Sequence, residues 1–435
     1  MKLFLAAILV VIASASAHAQ SADDATGTGS NGSAAEPAPP PPPADEHPPD
    51  AGSASEPAPA PDEPNKKKSK ADKDWGESMQ GDIVDDEQEP QLASRGMRFR
   101  WLFQTRYTET YQPYNDTTHY DLSTLDGYQV NRIFMRSTAK PRSWLRMKLL
   151  IDFADIAHKT GAKALKLAYA DIKLHPRVIA TVGLFKRTYS LTELTAIAKY
   201  ELADVGPIDT LIKDAELGGR DIGAMLRVDP LAKRRYLSVY LAAMSGAVFG
   251  DDARVDGILT GRVTTEPIKH LTFGIDGVYR RKGQQVPAGF IPTVGPGKAM
   301  SADVMYDGKR LALRGEWLWG DRTDENHRGD DLNGNGGART FMGAWGIAGY
   351  KLSAGKLAVL PAARFEWLDA DREHPVGRRL YISGAMTVMD KADQVRLLLD
   401  VSRQQVQTGT IPLGQSLGLI DQSATIVNVQ VQIKI

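Results

Sequence analysis

Arginine and lysine residues recur with strand-like spacing in the segments that follow residue 97. Arg98 and Arg100 stand two positions apart, as do Arg146 and Lys148. Side chains two positions apart lie on the same face of a β-strand. Guanidinium and ammonium groups on one face can replace part of the hydration shell of an anion. The basic residues predicted for this face are Arg98, Arg100, Arg106, Arg132, Arg136, Arg146, Lys148 and Lys186.

The segments that carry these residues alternate apolar and polar side chains. Phe99, Trp101 and Phe103 share one face of the first segment, opposite the basic residues. The pattern recurs to the last residue, and its lengths suit tilted membrane strands of about 9–11 residues with some overhang. About sixteen segments are predicted, at 98–110, 127–140, 143–155, 163–174, 177–187, 217–228, 233–247, 257–266, 271–281, 298–306, 309–320, 340–352, 356–369, 377–389, 392–405 and 423–435.

Short turns alternate with longer polar loops between these segments. Pro141-Arg142 and Asp307-Gly308 are examples of the turns, whereas 188–216 is the longest loop. This arrangement is typical of outer-membrane barrels, and an even strand number places both chain ends on the short-turn side. The prediction is therefore an all-β, closed antiparallel transmembrane barrel over residues 95–435. A soluble β-sandwich with the same alternation is the alternative, although about 340 residues would usually divide into several domains.

The N-terminal residues predict export. Leu3 to Ala13 form an apolar run, and Ala17-His18-Ala19 supplies the small-x-small pattern that signal peptidase cleaves. Residues 1–19 are therefore predicted to be a signal peptide. The alternative, a membrane anchor helix, would need an apolar run of roughly 20 residues.

Residues 20–94 are predicted to be a disordered acidic linker rich in Pro and Ala. Residues 1–94 hold 6 Lys+Arg and 17 Asp+Glu, whereas residues 95–435 hold 47 and 36, so the barrel is basic. A basic surface favours anionic partners. The run Lys66–Lys70 is either a solvated charge run or a contact with peptidoglycan.

Several segments, in order, resemble the phosphate-selective porin O/P family of Gram-negative bacteria. They include the arginine-containing strand 129–136, the strand 182–186, the loop start 189–195 and the strand 219–223. The resemblance implies a porin that forms homotrimers, with the loop 188–216 folded inward as a constriction. An ordinary surface loop is the alternative. Ser190-Leu191-Thr192-Glu193 predicts a capping box that starts a helix extending to about Lys199.

In that family, inward basic side chains lead anions to the constriction. Residue type and position make Arg132 and Lys186 the matching cations, with Ser190 as a neutral donor. Asn131 stands where a second arginine is expected, and Arg187-Thr188 replaces a proline-containing stretch. The carboxylates Asp152, Asp276, Glu316, Glu366 and Asp400 are also predicted to face inward and to pair with some of the basic residues. A purely structural role for the charged pairs therefore stays open.

The sequence thus predicts a passive outer-membrane porin, in contact with outer-membrane lipid, that prefers small anionic solutes, phosphate among them. No catalytic residue set, metal site, cofactor or nucleic-acid partner is predicted. Two alternatives remain. An enzymatic barrel would need a catalytic set facing the lumen. A structural or adhesive barrel, tethered to the cell wall by the linker, would have a plugged lumen.

Overall fold

The computed structural model describes residues 97–111, 126–158, 164–195, 201–203, 205–215, 217–231, 236–245, 257–281, 297–322, 339–372, 378–410 and 418–435. The predicted signal peptide 1–19 and linker 20–94 lie outside these residues. The strands are β1 Met97–Tyr111, β2 Gly127–Arg142, β3 Leu145–Asp152, β4 Leu165–His175, β5 Val178–Lys186, β6 Arg220–Val228, β7 Ser238–Met244, β8 Ile258–Ile268, β9 Leu271–Arg280, β10 Gly297–Asp307, β11 Leu311–Arg322, β12 Arg339–Tyr350, β13 Leu352–Ala354, β14 Leu357–Asp369, β15 Arg378–Asp390, β16 Val395–Thr410 and β17 Gly418–Lys434. The helices are α1 Phe153–His158, α2 Leu191–Leu194 and α3 Pro207–Asp214.

The strands form one antiparallel sheet that closes on itself. Each strand pairs with its neighbour in sequence, except that β12 and β13 both pair with β14, and β1 pairs with both β2 and β17. At the seam, the backbone N–H of Trp101 donates to the carbonyl of Ile435 at 2.8 Å, and the reverse bond measures 3.0 Å. Closure leaves no unpaired sheet edge, which a sheet in a bilayer requires. The predicted closed antiparallel barrel is confirmed.

Sixteen spanning strands make up the wall. The two strands β12 and β13 both pair with β14 and are separated only by Lys351, so together they form one interrupted strand. The Lys351 N–H donates to the Arg310 carbonyl at 2.6 Å, which keeps β11 in contact with the interruption. The predicted number of strands is therefore confirmed.

Successive side chains of β1 point to opposite sides of the wall. Phe99 and Trp101 are 53% and 41% exposed, whereas Leu102 and Gln104 are 1% and 0% exposed. On β11, Trp317 is exposed and Glu316 is buried in the same alternation. The apolar face is therefore outside and the polar face inside, as the period-two pattern predicts.

Two β-bulges alter the register beside the loop that follows β5. Gln104 pairs with Arg132 and Thr105 with Val130, so Asn131 is the extra residue of a bulge in β2. Leu150 pairs with Leu167 and Ile151 with Leu165, which makes Lys166 the extra residue of a bulge in β4. A bulge changes the direction in which neighbouring side chains point. Asn131, where the resemblance predicts an arginine, is thus a bulge residue.

The helices are the main departures from the predicted elements. The predicted strand 143–155 ends at Asp152, and Phe153 begins α1. Trp101 on β1 stacks on Phe153 at 5.8 Å between ring centroids, so α1 starts against the outer face of the wall. Period-two alternation cannot reveal this change, because a six-residue helix is too short to show its own period. Among the described helices, none is long and apolar enough to cross a membrane.

Glycines allow a close strand approach just before β5 leaves the wall. Gly183 has φ +127°, and a Cβ added there would lie 2.3 Å from the Ala168 carbonyl oxygen. Its partner in register, Gly223, would meet the Ala243 carbonyl oxygen at the same distance. Both contacts are with backbone atoms, which cannot move away without breaking the ladder. The path of β5 into the lumen therefore depends on residues without a Cβ.

The substitution Gly183→Ala is expected to destabilise the barrel by about 1–3 kcal/mol, because it adds both backbone strain and a backbone clash. The urea midpoint of the folded protein in detergent should fall. Gly384→Ala is the matched control, since a Cβ at this strand glycine meets nothing within 4 Å. Equal midpoints for the two variants would contradict the close approach.

Candidate functional site

The chain between β5 and β6 is here called the inward loop (residues 187–219), and its described residues lie inside the barrel. Its described residues Ile208, Ile212 and Leu217 are fully buried. A Cβ on Gly343 of β12 would lie 2.9 Å from the Ile208 side chain, so α3 packs directly on the inner face of that strand. The loop has therefore crossed from β5 to the far side of the lumen.

Carboxylates on the far wall hold this loop by its backbone. Four of its N–H groups donate to carboxylates on β9, β11, β14 and β16. These bonds join Ser190 to Asp276 at 3.3 Å, Leu191 to Glu316 at 2.9 Å, Ala203 to Asp400 at 3.1 Å, and Ile208 to Glu366. Each carboxyl group has two oxygens that accept hydrogen bonds, so it can hold more than one loop group. These carboxylates of the far wall thus hold the loop in position.

Basic residues also hold the loop. Arg314 on β11 forms an ion pair with Glu201 at 2.7 Å. The guanidinium of Arg280 donates to the Ala215 carbonyl at 3.0 Å. In β1, Arg106 donates to the Ala203 carbonyl at 3.4 Å, so this predicted anion contact reaches the loop backbone.

The predicted capping box is wrong. Ser190 has φ +66° and makes no side-chain cap bond to α2. Its hydroxyl donates instead to Glu316 at 2.9 Å, and Glu193 turns toward Lys213, 3.3 Å away. Charged partners on other elements outcompete the local neutral cap. The described helix ends at Leu194, and residues 196–200, through which it was predicted to continue, lie outside the described residues.

A cavity of about 150 Å³ separates the inward loop from the wall formed by β2 to β6. Its lining holds five cationic side chains and three carboxylates, so the net formal charge is positive. The cations are Arg132, Lys166, Lys186, Lys213 and Arg220, and the carboxylates are Asp152, Glu193 and Asp209. The remaining lining residues are Phe134, Thr192, Thr195 and Val205.

Four of the five cations come from neighbouring strands of the wall. Lys186 ends β5 and faces Arg220 of β6 in register. The bulge in β4 presents Lys166, which lies 3.6 Å from Asp152 of β3. In β2, Arg132 donates to the Gln104 side chain at 3.0 Å. The strand order therefore gathers these cations along one arc of the lumen.

Of the predicted anion contacts, only Arg132 and Lys186 line this cavity. Arg136 faces Arg100 in register, four residues closer than Arg132 to the short turn that follows β2. Arg146 forms an ion pair with Asp171 at 2.7 Å, and Lys148 lies 5.9 Å from the ring centroid of Tyr169. Ser190 lies at the far wall on Glu316.

Sequence reasoning missed three lining cations. Strict alternation along the predicted strand did not place Lys166 among the inward basic residues, because alternation does not reveal the bulge. Arg220 stands in the segment quoted for the resemblance but was not assigned a role. Lys213 lies on α3, where a loop was predicted, although Gly206-Pro207 is a helix-start signal that indicates α3.

Several carboxylates of the far wall pair with arginines of that same side, whereas the sequence predicted that inward acids pair with some of the basic residues of the first five strands. Asp276 and Asp303 bind Arg262, and Glu366 binds Arg364. Of the five inward acids predicted, Asp152 lies 3.6 Å from Lys166 of the arc. Each side thus holds ion pairs of its own, and the far-side carboxylates Asp276 and Glu366 also accept hydrogen bonds from the loop backbone.

The two loop carboxylates of the cavity differ in their pKa. Burial raises the pKa of Asp209 to about 6, and the neighbouring Glu193 carboxylate acts in the same direction. Burial would also raise the pKa of Glu193, but the charges of Lys213 and Lys186 outweigh it and hold that pKa below its usual range. Asp209 is therefore the loop carboxylate that gains a proton first as the pH falls.

Acidification from pH 7.5 to 5 is expected to make the cavity more positive, because protonation removes the charge of Asp209. The chloride-over-potassium permeability ratio, obtained from reversal potentials in a KCl gradient, should therefore rise with a midpoint near pH 6. In Asp209→Asn the step should be absent and the ratio at pH 7.5 already high. An unchanged step in this variant would contradict the assignment.

Ser190→Ala is expected to loosen the loop without changing selectivity, because it removes one hydrogen bond to Glu316 worth about 1 kcal/mol. Open-channel current noise should increase while the reversal potential stays constant. Ser402→Ala removes a buried hydroxyl of β16 that has no hydrogen-bond partner among the described residues, and it serves as control. A changed reversal potential in Ser190→Ala would instead place this hydroxyl on the anion path.

Comparison with known proteins supports the fold. No protein-family model matches the sequence, and no curated protein is significantly similar to it. The anion-selective porin from Comamonas acidovorans superposes with a TM-score of 0.53 and 11% identity over 78% of this chain and 99% of its own. OmpF of Salmonella typhi superposes with a TM-score of 0.48 and 11% identity over 77% of this chain and 97% of its own. A loop-deleted OmpT of Vibrio cholerae superposes with a TM-score of 0.48 and 11% identity over 78% of this chain and 99% of its own. The superposition on the anion-selective porin shows that the chain has a porin-type β-barrel fold.

Proposed function

We propose that this protein is an outer-membrane porin through which small solutes diffuse passively, with a preference for anions. The observation that carries the proposal is the cavity between the inward loop and the wall, lined by five cations and three carboxylates. An excess of fixed positive charge at a narrow point attracts anions and repels cations. Passage needs no chemical step, so no enzymatic activity is proposed.

The separation of charge within the barrel supports the anion preference. Acids that would otherwise neutralise the basic arc are bound to loop N–H groups, as Glu316 is, or to arginines of the far wall. The cavity lining keeps a net positive formal charge, with five cations against three carboxylates. Guanidinium groups such as that of Arg132 suit phosphate or carboxylate oxygens, because they present several donors in one plane.

The resemblance to phosphate-selective porins supports phosphate as one of the anions. Of the residues matched through it, Arg132 and Lys186 line the cavity. The resemblance also supports assembly as a homotrimer in outer-membrane lipid. In this proposal residues 1–19 are cleaved on export. Residues 20–94 lie in the periplasm and contact peptidoglycan. The fold shared with a solved anion-selective porin is consistent with this function.

The proposal is tested with purified protein in planar bilayers. Stable channels are expected, with reversal potentials in a KCl gradient that favour chloride and with block by millimolar phosphate. Arg132→Ala and Lys186→Ala should each raise the half-blocking phosphate concentration by about tenfold, equal to about 1.4 kcal/mol of lost binding. Arg142→Ala removes the same charge from an exposed position at the end of β2 and should leave the block unchanged.

The other outcomes lead to different functions. Open channels without ion preference would overturn the anion preference and leave a general porin. The absence of channels from protein shown to be folded would overturn the porin function. It would favour the alternative of a plugged structural or adhesive barrel, tethered through the linker.

A further inference from the structure

The cavity has two poles of opposite charge. Its wall side carries four cations and one carboxylate (Arg132, Lys166, Lys186, Arg220 and Asp152), whereas its loop side carries two carboxylates and one cation (Glu193, Asp209 and Lys213). Both carboxylates are nearly inaccessible, at 4% and 3% exposure. A simple anion that approaches the wall cations also meets these carboxylates. A solute with one charge of each sign would be complementary to both sides.

The negative pole is bridged by an ammonium group from within the chain. Lys213 Nζ lies 3.3 Å from Glu193 Oε1 and also binds the Asp209 carboxylate. The Lys213 side chain is 48% exposed, in contrast to its two buried partners. Because its four-carbon stem is flexible, the ammonium can move away and leave the two carboxylates to another ammonium. Lys213 thus occupies the position that the ammonium of a bound solute would take.

One buried oxygen at this pole lacks a well-aligned hydrogen-bond donor. Glu193 Oε1 makes no well-aligned hydrogen bond with a described residue, and it lies 3.3 Å from the Lys213 ammonium. Buried carboxylate oxygens ordinarily accept hydrogen bonds. Glu193 lines the cavity, so this oxygen becomes available to the N–H groups of a solute when the Lys213 ammonium moves away.

The space suits a small molecule. At about 10–15 Å³ for each water-sized group by the same measure, a cavity of about 150 Å³ holds on the order of ten such groups. Phe134 and Val205 add apolar surface between the charged groups. A short carbon chain between an ammonium and a carboxylate would lie against this surface.

We propose that the cavity is a binding site for amphoteric solutes of the amino-acid type. The solute ammonium binds Glu193 and Asp209 in place of Lys213, and its carboxylate binds the wall cations beside Lys186 and Arg220. This inference rests on the proposed pore function and narrows its solute class. Inorganic phosphate can use only the positive pole, so it binds less well than a molecule that uses both.

The test measures block of single-channel KCl current by alanine, lactate and phosphate, each titrated separately at pH 7.5. Lactate matches alanine in size and carboxylate but has a hydroxyl in place of the ammonium. Half-block by alanine is expected at a concentration about tenfold below that of lactate or phosphate. An alanine value equal to or above the lactate value would overturn the inference.

Variants at the negative pole separate binding from general charge effects. In Glu193→Gln/Asp209→Asn, block by alanine should weaken about tenfold while block by lactate strengthens. Asp307→Asn removes a carboxylate from an exposed turn residue and should change neither value. Parallel changes for alanine and lactate in the double variant would overturn the inference.

The Lys213→Ala variant gives an independent answer if the double variant does not fold. Removing the internal ammonium should strengthen block by alanine and weaken block by lactate, and the opposite result would overturn the inference. Channels that favour chloride but show no alanine advantage would contradict only this solute class. The absence of channels would contradict the pore function itself.

Discussion

The interior of this barrel depends on hydrogen bonds between wall carboxylates and the backbone of the inward loop. A loop that enters a barrel must find partners for its N–H groups, since each buried unpaired group is costly. Glu316 alone accepts bonds from the Leu191 N–H, the Ser190 hydroxyl and the Trp345 indole. Asp400 and Glu366 fix the later parts of the same loop. These bonds set the position of the loop in the lumen.

The same bonds determine where charge is left over. A carboxylate that accepts hydrogen bonds from the loop N–H groups, or that pairs with an arginine of the far wall, is not available to neutralise the cations on β2 to β6. The cations of that arc therefore face Glu193 and Asp209 of the loop, two carboxylates that Lys213 bridges. The hydrogen bonds between the wall carboxylates and the loop backbone thus both anchor the loop and influence the sign of the charge in the cavity.

The strand wall supplies the arc through its order and its irregularities. Consecutive antiparallel pairing places β2 to β6 side by side, so residues as distant in sequence as Arg132 and Arg220 line one cavity. The bulge at Lys166 adds a cation that strict alternation does not predict. Gly183 and Gly223 allow the close approach from which β5 turns inward. Local departures from regular geometry are concentrated where the loop begins.

The sequence alone determined the barrel, its sixteen spanning strands and the face on which most charged residues lie. It could do so because strand periodicity is local. A barrel with a polar interior and an apolar exterior requires polar and apolar side chains to alternate along each strand. Only the tertiary structure decided which charges meet. The pairing of Ser190 with Glu316, the place of Lys213 on α3 and the bulge at Lys166 depend on residues far apart in sequence. Such contacts arise from closure of the sheet around the loop, and no local pattern records them.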